Sequence, residues 1–253
     1  MSIYISVTSH NNDDLIEQNF INLPKIIAGQ ELIISIIDNV GSSHLKNLCE
    51  QHGLNYFFDG KTRGYGGNNN KNFEILNPHD DDLFIVCNPD ITLMVDQLDQ
   101  LFEKVRLSDS GIYGIKVYES QDLSNHSSHN RSFPALLDPI ISLVFKKKLF
   151  ANDIDKFAHP DWIGGGFMIF KAFVFRELNG FNEDFFMYYE DVDICRRAKK
   201  NNYKITYDPS FYLIHEAKRD GRKLFSKSFF WNLKSMIKYF IKYPTFRLIT
   251  IRK

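Results

Sequence analysis

The first half of the chain alternates short apolar runs with segments whose apolar residues recur at helical spacing. Residues 3–7, 31–37, 54–58 and 83–87 are rich in β-branched and aromatic side chains, and a polar cluster follows each run. This pattern predicts strands joined by helices. Because the runs are apolar throughout, we expect strands that are buried on both faces, in a mostly parallel sheet flanked by helices. The predicted fold class is therefore α/β.

The second half continues the pattern with less regular spacing. With no internal repeat beyond this alternation and no low-complexity linker, we expect a single domain over residues 1–217, followed by an extension over residues 218–253. Residues 119–131 are rich in Ser, Asn and His and are predicted to form a mobile loop over the site. The other predicted elements are a helix at 96–106, a strand at 112–118, a rim helix at 138–150 and late strands at 203–207 and 211–215.

Polar side chains follow the predicted strands at the points where the strands end. Four features occupy such positions: Asn11, Asp38, a glycine- and asparagine-rich segment at residues 63–70, and Asp90. In open α/β sheets, ligands bind beyond the carboxyl ends of the strands. Residues 1–90 are therefore predicted to form a nucleotide-binding half.

Three features of the chain allow more than one interpretation. The segment at 63–70 contains no Gly-x-x-x-x-Gly-Lys-Ser/Thr motif, and Asn69 stands where a dinucleotide-binding pattern needs its third glycine. It is either a tight turn with an asparagine cap or a nucleotide contact. Asp90 either caps the following turn or holds Mg²⁺ or Mn²⁺, and His215, which ends a late strand, is either a rim residue or a second metal ligand.

Charge is distributed unevenly along the chain. The formal net charge is +0, which argues against a nucleic-acid-binding protein. From Lys218 onward, however, eleven basic residues face the single acid Asp220, which makes the tail about +10 and the remainder about −10. Such asymmetry predicts an anionic partner or surface.

The three widely spaced cysteines predict neither a disulfide framework nor a cysteine metal site. We therefore expect the protein to work in a reducing cytoplasm. We also expect neither a cleaved signal peptide nor a membrane-spanning helix.

Residues 161–197 combine features of a reaction pocket. Gly164, Gly165 and Gly166 interrupt an apolar run, and a cluster of aromatic residues precedes the acids Glu190 and Asp191. Glycines permit close approach to the backbone, and an apolar wall desolvates acids. Acids are also favoured in a first helical turn without any catalytic role. Because adjacent helical residues point about 100° apart, at most one of Glu190 and Asp191 is expected to face the pocket as a general base.

Seven short motifs in a fixed order resemble family 2 glycosyltransferases of the GT-A fold. Within that family, the chain resembles the bacterial rhamnosyltransferases that build O-antigen, the polysaccharide of lipopolysaccharide, and related cell-surface polysaccharides. The resemblance covers residues 3 to about 231. The chain departs from the family pattern at Asn88, at Asn182 and at Gly41-Ser42. The motifs are Val7-Thr8-Ser9-His10-Asn11, Asp38-Asn39, Gly64-Tyr65-Gly66-Gly67-Asn68-Asn69-Asn70, Asn88-Pro89-Asp90, Trp162-Ile163-Gly164-Gly165-Gly166, Asn179-Gly180-Phe181 and Phe186-Met187-Tyr188-Tyr189-Glu190-Asp191-Val192-Asp193.

The resemblance implies an inverting, metal-dependent hexosyltransferase. It divides the domain into the nucleotide-binding half and an acceptor half at 91–217. Asp191 would be the catalytic base beside Glu190, and Asp90, with His215, would bind Mg²⁺ or Mn²⁺. The nucleotide-sugar contacts would come from Thr8, His10, Asn11, Asp38, Asn39, Arg63, Gly64, Tyr65, Asn69, Asn70, Asn88, Asp90, Trp162, Gly164, Gly165 and Gly166.

The donor that the resemblance implies is dTDP-rhamnose, and the acceptor is a lipid-linked saccharide such as GlcNAc-diphosphate-undecaprenol. Alternatives are another sugar, such as galactofuranose or a hexose from a UDP-sugar, a nucleotidyltransferase, or a non-catalytic polysaccharide- or membrane-binding module. The basic amphipathic segment at 226–243 either packs on the core or lies on the inner face of the cytoplasmic membrane. Its charge favours peripheral attachment to the membrane.

Overall fold

The computed structural model describes residues 1–127, 130–135, 155–216 and 226–244. The predicted rim helix at 138–150 lies outside these ranges. The described strands are β1 (Ile3–Ser9), β2 (Ile26–Ile27), β3 (Gln30–Asp38), β4 (Asn55–Phe57), β5 (Leu83–Cys87), β6 (Ile91–Leu93), β7 (Ser110–Tyr118), β8 (His126–Ser127), β9 (Asn130–Arg131), β10 (Trp162–Ile163), β11 (Phe167–Lys171) and β12 (Lys204–His215). The described helices are α1 (Asp13–Phe20), α2 (Ser43–His52), α3 (Tyr65–Leu76), α4 (Val95–Leu107), α5 (Ala172–Glu177), α6 (Glu190–Lys200) and α7 (Lys227–Lys242).

The first half of the chain forms the parallel part of the sheet. β1 pairs in parallel with β3 on one side and with β5 on the other, and β4 extends β3 in parallel. All five residues of β5 are buried, which matches its uninterrupted apolar run. The strands and helices predicted for this half are confirmed, and the carboxyl ends of β1, β3 and β5 meet at one edge of the sheet.

The second half adds strands of both directions, so the whole sheet is mixed where a mostly parallel one was expected. β11 lies antiparallel between β5 and β7, and β12 runs parallel to β7 and antiparallel to β6. β12 is one strand where two were predicted, because the chain bulges between Asp208 and Tyr212 without leaving the sheet. Pro209 lies in the bulge, where a missing backbone N–H interrupts the ladder least. The predicted α/β fold class is confirmed.

Helices cover both faces of the sheet. One face buries Ile3, Ile5 and Val7 under α1, α2 and α4, and the other buries Phe84 and Val86 together with residues of α5 and α6. On the second face, the rings of Phe73, Phe84, Phe170, Phe175 and Phe181 pack edge-on or tilted, with centroids 4.8 to 6.0 Å apart. Cys49, Cys87 and Cys195 are buried free thiols.

Helix α3 joins the sheet through a buried polar network. Ser6 Oγ donates to Asn69 Oδ1 at 2.6 Å, and Ser35 Oγ donates to Asn72 Oδ1 at 2.6 Å. Asn72 Nδ2 donates to Ser6 Oγ and to the Ser35 carbonyl, each at 2.9 Å. We call Ser6, Ser35, Asn69 and Asn72 the serine–asparagine network. These hydrogen bonds fix the rotation of α3 about its own axis as well as its distance from the sheet.

Helix α7 packs on the body along one face. Tyr239 and Phe240 are buried against Phe185 and Val192, and Ser235 Oγ donates to the Met187 carbonyl at 2.8 Å. The core-packed interpretation of this segment is therefore confirmed for that face. The opposite face exposes Phe230 (54%), Leu233 (38%), Ile237 (51%) and Ile241 (77%). None of the helices in the described part of the chain is long and apolar enough to cross a bilayer.

Candidate active site

Strand register brings four predicted site residues together. His215 pairs with Ile91 between β12 and β6, and its Nε2 consequently lies 3.0 Å from Asp90 Oδ1. Phe167 pairs with Cys87 between β11 and β5, so Gly166 lies beside Asn88, whose N–H donates to the Gly166 carbonyl at 2.8 Å. A Cβ atom added to Gly166 would lie 3.2 Å from His215 Cε1, so the glycine allows this approach.

The Asp90–His215 pair has the chemistry of a partial metal site. A carboxylate oxygen and an imidazole nitrogen are ligands that suit Mn²⁺, and the carboxylate also suits Mg²⁺. No group of three or more potential His, Cys, Asp or Glu ligands occurs among the residues that the structure describes. The residues present therefore fit a cation that takes its remaining ligands from a bound diphosphate and from water. Metal binding by Asp90 and His215 stays a prediction.

Asp191 is held in a defined orientation at the start of α6. Its Oδ2 accepts the Gly165 N–H at 2.8 Å, and its Oδ1 accepts the Val192 N–H at 2.8 Å. The side chain is half-buried. Burial raises the pKa of Asp191, whereas the two N–H donors and the charge of Arg131 act in the opposite direction. Asp191 is thus a carboxylate whose proton affinity is increased but whose residue remains partly exposed.

Glu190 lies in a different environment from its neighbour. Its residue is 6% exposed, and its Oε2 has no hydrogen-bond partner. Burial, followed by the adjacent charge of Asp191, raises the pKa of Glu190 well above its usual range. Of the two acids, Asp191 is therefore the one suited to accept a proton.

The segment before these acids has an uncommon backbone conformation. Tyr188 and Tyr189 both have φ of 68°, in the left-handed region that residues other than glycine and asparagine rarely adopt. Ser235 donates to the carbonyl of Met187, and the ring of Tyr189 lies 5.2 Å from that of Tyr239. Helix α7 therefore supports the segment that delivers Glu190 and Asp191. Strained backbone supported in this way is typical of functional sites.

Asp193 anchors this helix to its surroundings. It is fully buried, and its Oδ2 accepts from Arg197 Nε at 2.7 Å while its Oδ1 accepts from Lys242 Nζ and Tyr243 Oη, each at 2.8 Å. Arg197 Nη2 also donates to the Gly180 carbonyl at 2.8 Å. The third acid of the segment therefore has a structural role.

In the half that was predicted to bind the nucleotide, Thr8 and Asp38 lie at the ends of adjacent strands. Thr8 Oγ1 is buried without a hydrogen-bond partner, which suits a group that receives a ligand. The Asp38 carboxylate accepts the backbone N–H groups of residues 40, 41 and 42, at 2.7 to 3.0 Å, and the Tyr56 hydroxyl at 3.0 Å. Asp38 therefore shapes the turn after β3. Nearby, His10 is exposed and Asn11 adopts a φ of 59°.

The segment at 63–70 is built mainly from contacts within the protein. The Arg63 N–H donates to Asn39 Oδ1 at 3.0 Å, and the Arg63 guanidinium pairs with Asp59 at 2.5 Å. A Cβ atom on Gly64 would lie 2.0 Å from the Phe186 carbonyl oxygen, so only glycine fits there.

The two asparagines that were predicted to contact the nucleotide have their side chains turned to the protein. Asn69 is fully buried, in the serine–asparagine network, and its Nδ2 donates to the Tyr65 carbonyl at 3.0 Å. Asn70 Nδ2 donates to the Phe181 carbonyl at 2.8 Å, and Asn70 Oδ1 accepts the Phe181 N–H at 2.7 Å. We therefore leave Asn69 and Asn70 out of the proposed donor contacts, because α3 begins at Tyr65 and turns both amides inward.

Trp162 and Tyr65 also have partners within the protein. Trp162 Nε1 donates to the Ser132 carbonyl at 3.0 Å, and its ring faces the Arg131 guanidinium at 5.3 Å. Gly164 is half-buried just beyond it. The Tyr65 hydroxyl donates to the Gly165 carbonyl at 2.7 Å, so Tyr65 contacts the segment that orients Asp191. Neither the Tyr65–Gly165 hydrogen bond nor the effect of the Arg131 charge on Asp191 was predicted from the sequence, because neither has a local sequence signal.

Comparison with known proteins identifies relatives of this chain. A family profile described as the N-terminal domain of galactosyltransferase matches residues 150–217. Rhamnosyltransferase WbbL of Escherichia coli K12 is 34% identical over an alignment of 245 residues that covers 94% of this chain and 92% of that protein. N-acetylglucosaminyl-diphospho-decaprenol L-rhamnosyltransferase of Mycobacterium tuberculosis H37Rv is 36% identical over 62 residues, 24% of this chain and 20% of that protein.

A solved structure supports the fold independently of sequence. GalNAc-T7, crystallised with UDP, GalNAc and Mn²⁺, superposes with a TM-score of 0.67 at 13% identity over 95% of this chain. The chain spans about half, 48%, of that structure. The long match to the Escherichia coli protein decides the family. This chain belongs to the family 2 glycosyltransferases of the GT-A fold, in the rhamnosyltransferase branch.

Proposed function

We propose that this glycosyltransferase moves L-rhamnose from dTDP-rhamnose to a lipid-linked saccharide such as GlcNAc-diphosphate-undecaprenol, with inversion at the anomeric carbon. One observation supports the proposal most strongly. The Gly165–Gly166 segment contacts Asp191 through an N–H group and Asn88 through a carbonyl, next to the Asp90–His215 pair. A candidate base and a candidate cation site therefore flank the same short backbone segment.

In the proposed reaction, Asp191 is the general base. Its Oδ2, oriented by the Gly165 N–H, accepts the proton of the acceptor hydroxyl while the hydroxyl oxygen forms a bond to the anomeric carbon of the donor. The bond from that carbon to the diphosphate oxygen breaks, and the nucleoside diphosphate leaves with the electron pair. Because the new bond forms on the side opposite the leaving group, the configuration inverts.

Asp90 and His215 would hold Mg²⁺ or Mn²⁺ against the donor diphosphate. When bound, such a cation neutralises the charge that develops on the leaving diphosphate, so no protein acid is needed to protonate it. The structural neighbour crystallised with UDP and Mn²⁺ supports this part of the proposal.

The names of the relatives support rhamnose and a polyprenyl diphosphate acceptor. The Escherichia coli protein is a rhamnosyltransferase, and the Mycobacterium protein is named for N-acetylglucosaminyl-diphospho-decaprenol. A second candidate donor is a UDP-hexose. It is favoured by the match to a galactosyltransferase profile and by the UDP in the structural neighbour.

Calorimetric titration with dTDP, UDP and GDP, each with and without Mn²⁺, tests the donor and the cation. We expect dTDP to bind tightest, to need the cation, and to lose most of its affinity in Asp90→Ala. Tighter binding of UDP would favour the UDP-hexose as donor over dTDP-rhamnose, and cation-independent binding would refute the role of Asp90.

A transfer assay with dTDP-rhamnose tests the role of Asp191. Asp191→Asn should bind dTDP normally and transfer no sugar. Wild-type turnover by this variant would refute the assignment of Asp191 as general base.

The outer face of α7 is proposed to lie on the membrane. Its exposed apolar stripe contains Phe230, Leu233, Ile237 and Ile241, while Lys227 and Lys234 are exposed on the same helix. An apolar stripe flanked by lysines suits the interface of an anionic bilayer, and the excess positive charge of residues 218–253 adds to this attraction. The arrangement would bring the active site close to a lipid-linked acceptor.

Co-sedimentation with vesicles tests this attachment. The full chain should bind vesicles that contain phosphatidylglycerol more than vesicles of pure phosphatidylcholine, and Ile241→Glu should weaken the binding. Leu107→Glu is a matched control, because Leu107 is 75% exposed on α4 and Ile241 is 77% exposed on α7. If the two variants reduce binding equally, or if neither does, α7 is not the membrane contact.

A further inference from the structure

Tyr65, the first residue of α3, connects two segments of the active site. Its backbone N–H donates to the Phe186 carbonyl at 3.0 Å, in the segment that leads to Glu190 and Asp191. Its hydroxyl donates to the Gly165 carbonyl at 2.7 Å, across 100 residues of sequence. One residue, through its backbone N–H and its hydroxyl, therefore holds the glycine segment relative to the segment before α6.

The Gly165 peptide transmits this contact to the base. The carbonyl of Gly165 accepts from Tyr65, and the N–H of the same residue donates to Asp191 Oδ2 at 2.8 Å. A Cβ atom on Gly165 would lie 3.0 Å from Asp191 Cβ, so the segment already lies against the aspartate. Any rotation of this backbone would move the N–H that orients Asp191.

We infer that Tyr65 is a positioning residue, which fixes the Gly165 backbone so that its N–H holds Asp191 in the orientation needed to accept the acceptor proton. This role rests on the proposed function and differs from the nucleotide contact predicted from the sequence. The hydroxyl remains a donor across the working pH range, because burial, followed by the neighbouring acidic groups Cys87, Glu190 and Asp191, raises the pKa of Tyr65 well above its usual range.

Loss of the hydroxyl has a consequence that a purely structural residue would not produce. The Gly165 N–H lowers the pKa of Asp191, against the effect of burial. If Tyr65 no longer holds the Gly165 carbonyl, this donor is weakened and the pKa of Asp191 rises. The other titratable or charged groups that act on Asp191 or are affected by it are Glu190 and Cys195 on α6, Arg131 on β9 and Tyr65 itself.

The test compares Tyr65→Phe with Tyr203→Phe in the full chain. Tyr203 is a matched control because its hydroxyl donates to Glu177, an exposed residue outside the site. With dTDP-rhamnose and a short-chain polyprenyl diphosphate acceptor, Tyr65→Phe should lower kcat about tenfold to a hundredfold, a range typical of a displaced catalytic group. The acid limb of its pH profile should move to higher pH, and dTDP affinity should stay unchanged. Tyr203→Phe should match wild type.

Two outcomes would overturn the inference. A loss confined to dTDP affinity or donor KM would make Tyr65 a nucleotide contact, and a uniform loss with an unmoved pH profile would make its role structural. A second measurement does not depend on turnover. In protein labelled with ¹³C at aspartate carboxyls and assigned with Asp191→Asn, the Asp191 signal should titrate at higher pH in Tyr65→Phe than in wild type. If no sugar nucleotide is turned over, the proposed function fails, and this titration still decides the role of Tyr65.

Discussion

Replacing Tyr239 with alanine should detach α7 from the body of the protein. The ring is fully buried and lies 5.2 to 5.3 Å from the rings of Tyr189, Phe240 and Tyr243. Removing a buried aromatic ring typically costs about 3–5 kcal/mol, a large part of the roughly 5–15 kcal/mol that holds a domain folded. A helix of 16 residues has little stability of its own. Most of the loss should therefore appear as undocking of the helix, with a smaller effect on the rest of the fold.

Phe230→Ala provides the matched comparison on the same helix. Phe230 is 54% exposed on the opposite face, so its truncation should change the free energy of unfolding by no more than about 0.5 kcal/mol. Urea denaturation gives the free energies, and limited proteolysis at α7 separates undocking from global unfolding. Tyr239→Ala should also slow sugar transfer, because α7 supports residues 185–189. Equal sensitivity of the two variants to protease, or normal transfer by Tyr239→Ala with α7 released, would refute the reasoning.

Three further changes test the surroundings of Asp191. Gly165→Ala should reduce transfer by about tenfold in steady-state kinetics, because the added Cβ would lie 3.0 Å from Asp191 Cβ and would push the aspartate out of its orientation. Glu190→Gln should alter the pH dependence of melting temperature. Burial raises the pKa of Glu190, so its contribution to stability is complete below the unfolded value of about 4.3 and is lost as pH rises toward the folded value. The variant should therefore gain stability relative to wild type as pH rises above about 4.3. Asp193→Asn should cost about 2 kcal/mol in urea denaturation, because a buried carboxylate loses its charge while its partners Arg197 and Lys242 are only 22% and 39% exposed.

Each of these three predictions has an outcome that would contradict it. Normal turnover by Gly165→Ala would show that Asp191 tolerates displacement. A constant difference in melting temperature between Glu190→Gln and wild type from pH 4 to pH 8 would contradict the raised pKa. A change below about 0.5 kcal/mol in Asp193→Asn would mean that the carbonyls of Leu178 and Gly180 hold Arg197 well enough without the Asp193 charge.

The local pattern of the sequence was sufficient for the strands and helices of the first half, since each apolar run forms its strand where expected. It was insufficient for β11, which runs antiparallel between β5 and β7. Direction and neighbours in a sheet depend on pairing between distant segments, which a local pattern does not contain. The prediction also divided β12 into strands at 203–207 and 211–215, whereas the chain bulges between Asp208 and Tyr212 without leaving the sheet.

For the site, chain position predicted which residues approach the sheet edge, and the structure brings Asp90 and His215 within 3.0 Å of each other. Chain position did not predict the direction in which each side chain points. Asn69 lies in a segment that resembles a nucleotide-binding loop, yet it belongs to a helix whose inner face meets the sheet. The hydrogen bond from the Gly165 N–H to Asp191 is donated by the backbone, so the types of the residues do not reveal it.

The serine–asparagine network has a consequence for how this protein can change over evolutionary time. Ser6, Ser35, Asn69 and Asn72 are all buried, and each hydrogen-bonds to another member. An apolar replacement at one position would leave a buried polar atom unpaired at another, which costs about 1–3 kcal/mol. Single steps away from this set are therefore disfavoured, and related sequences should either keep all four residues or have exchanged them together. Covariation among these four positions is thus the pattern to look for in relatives that share the orientation of α3.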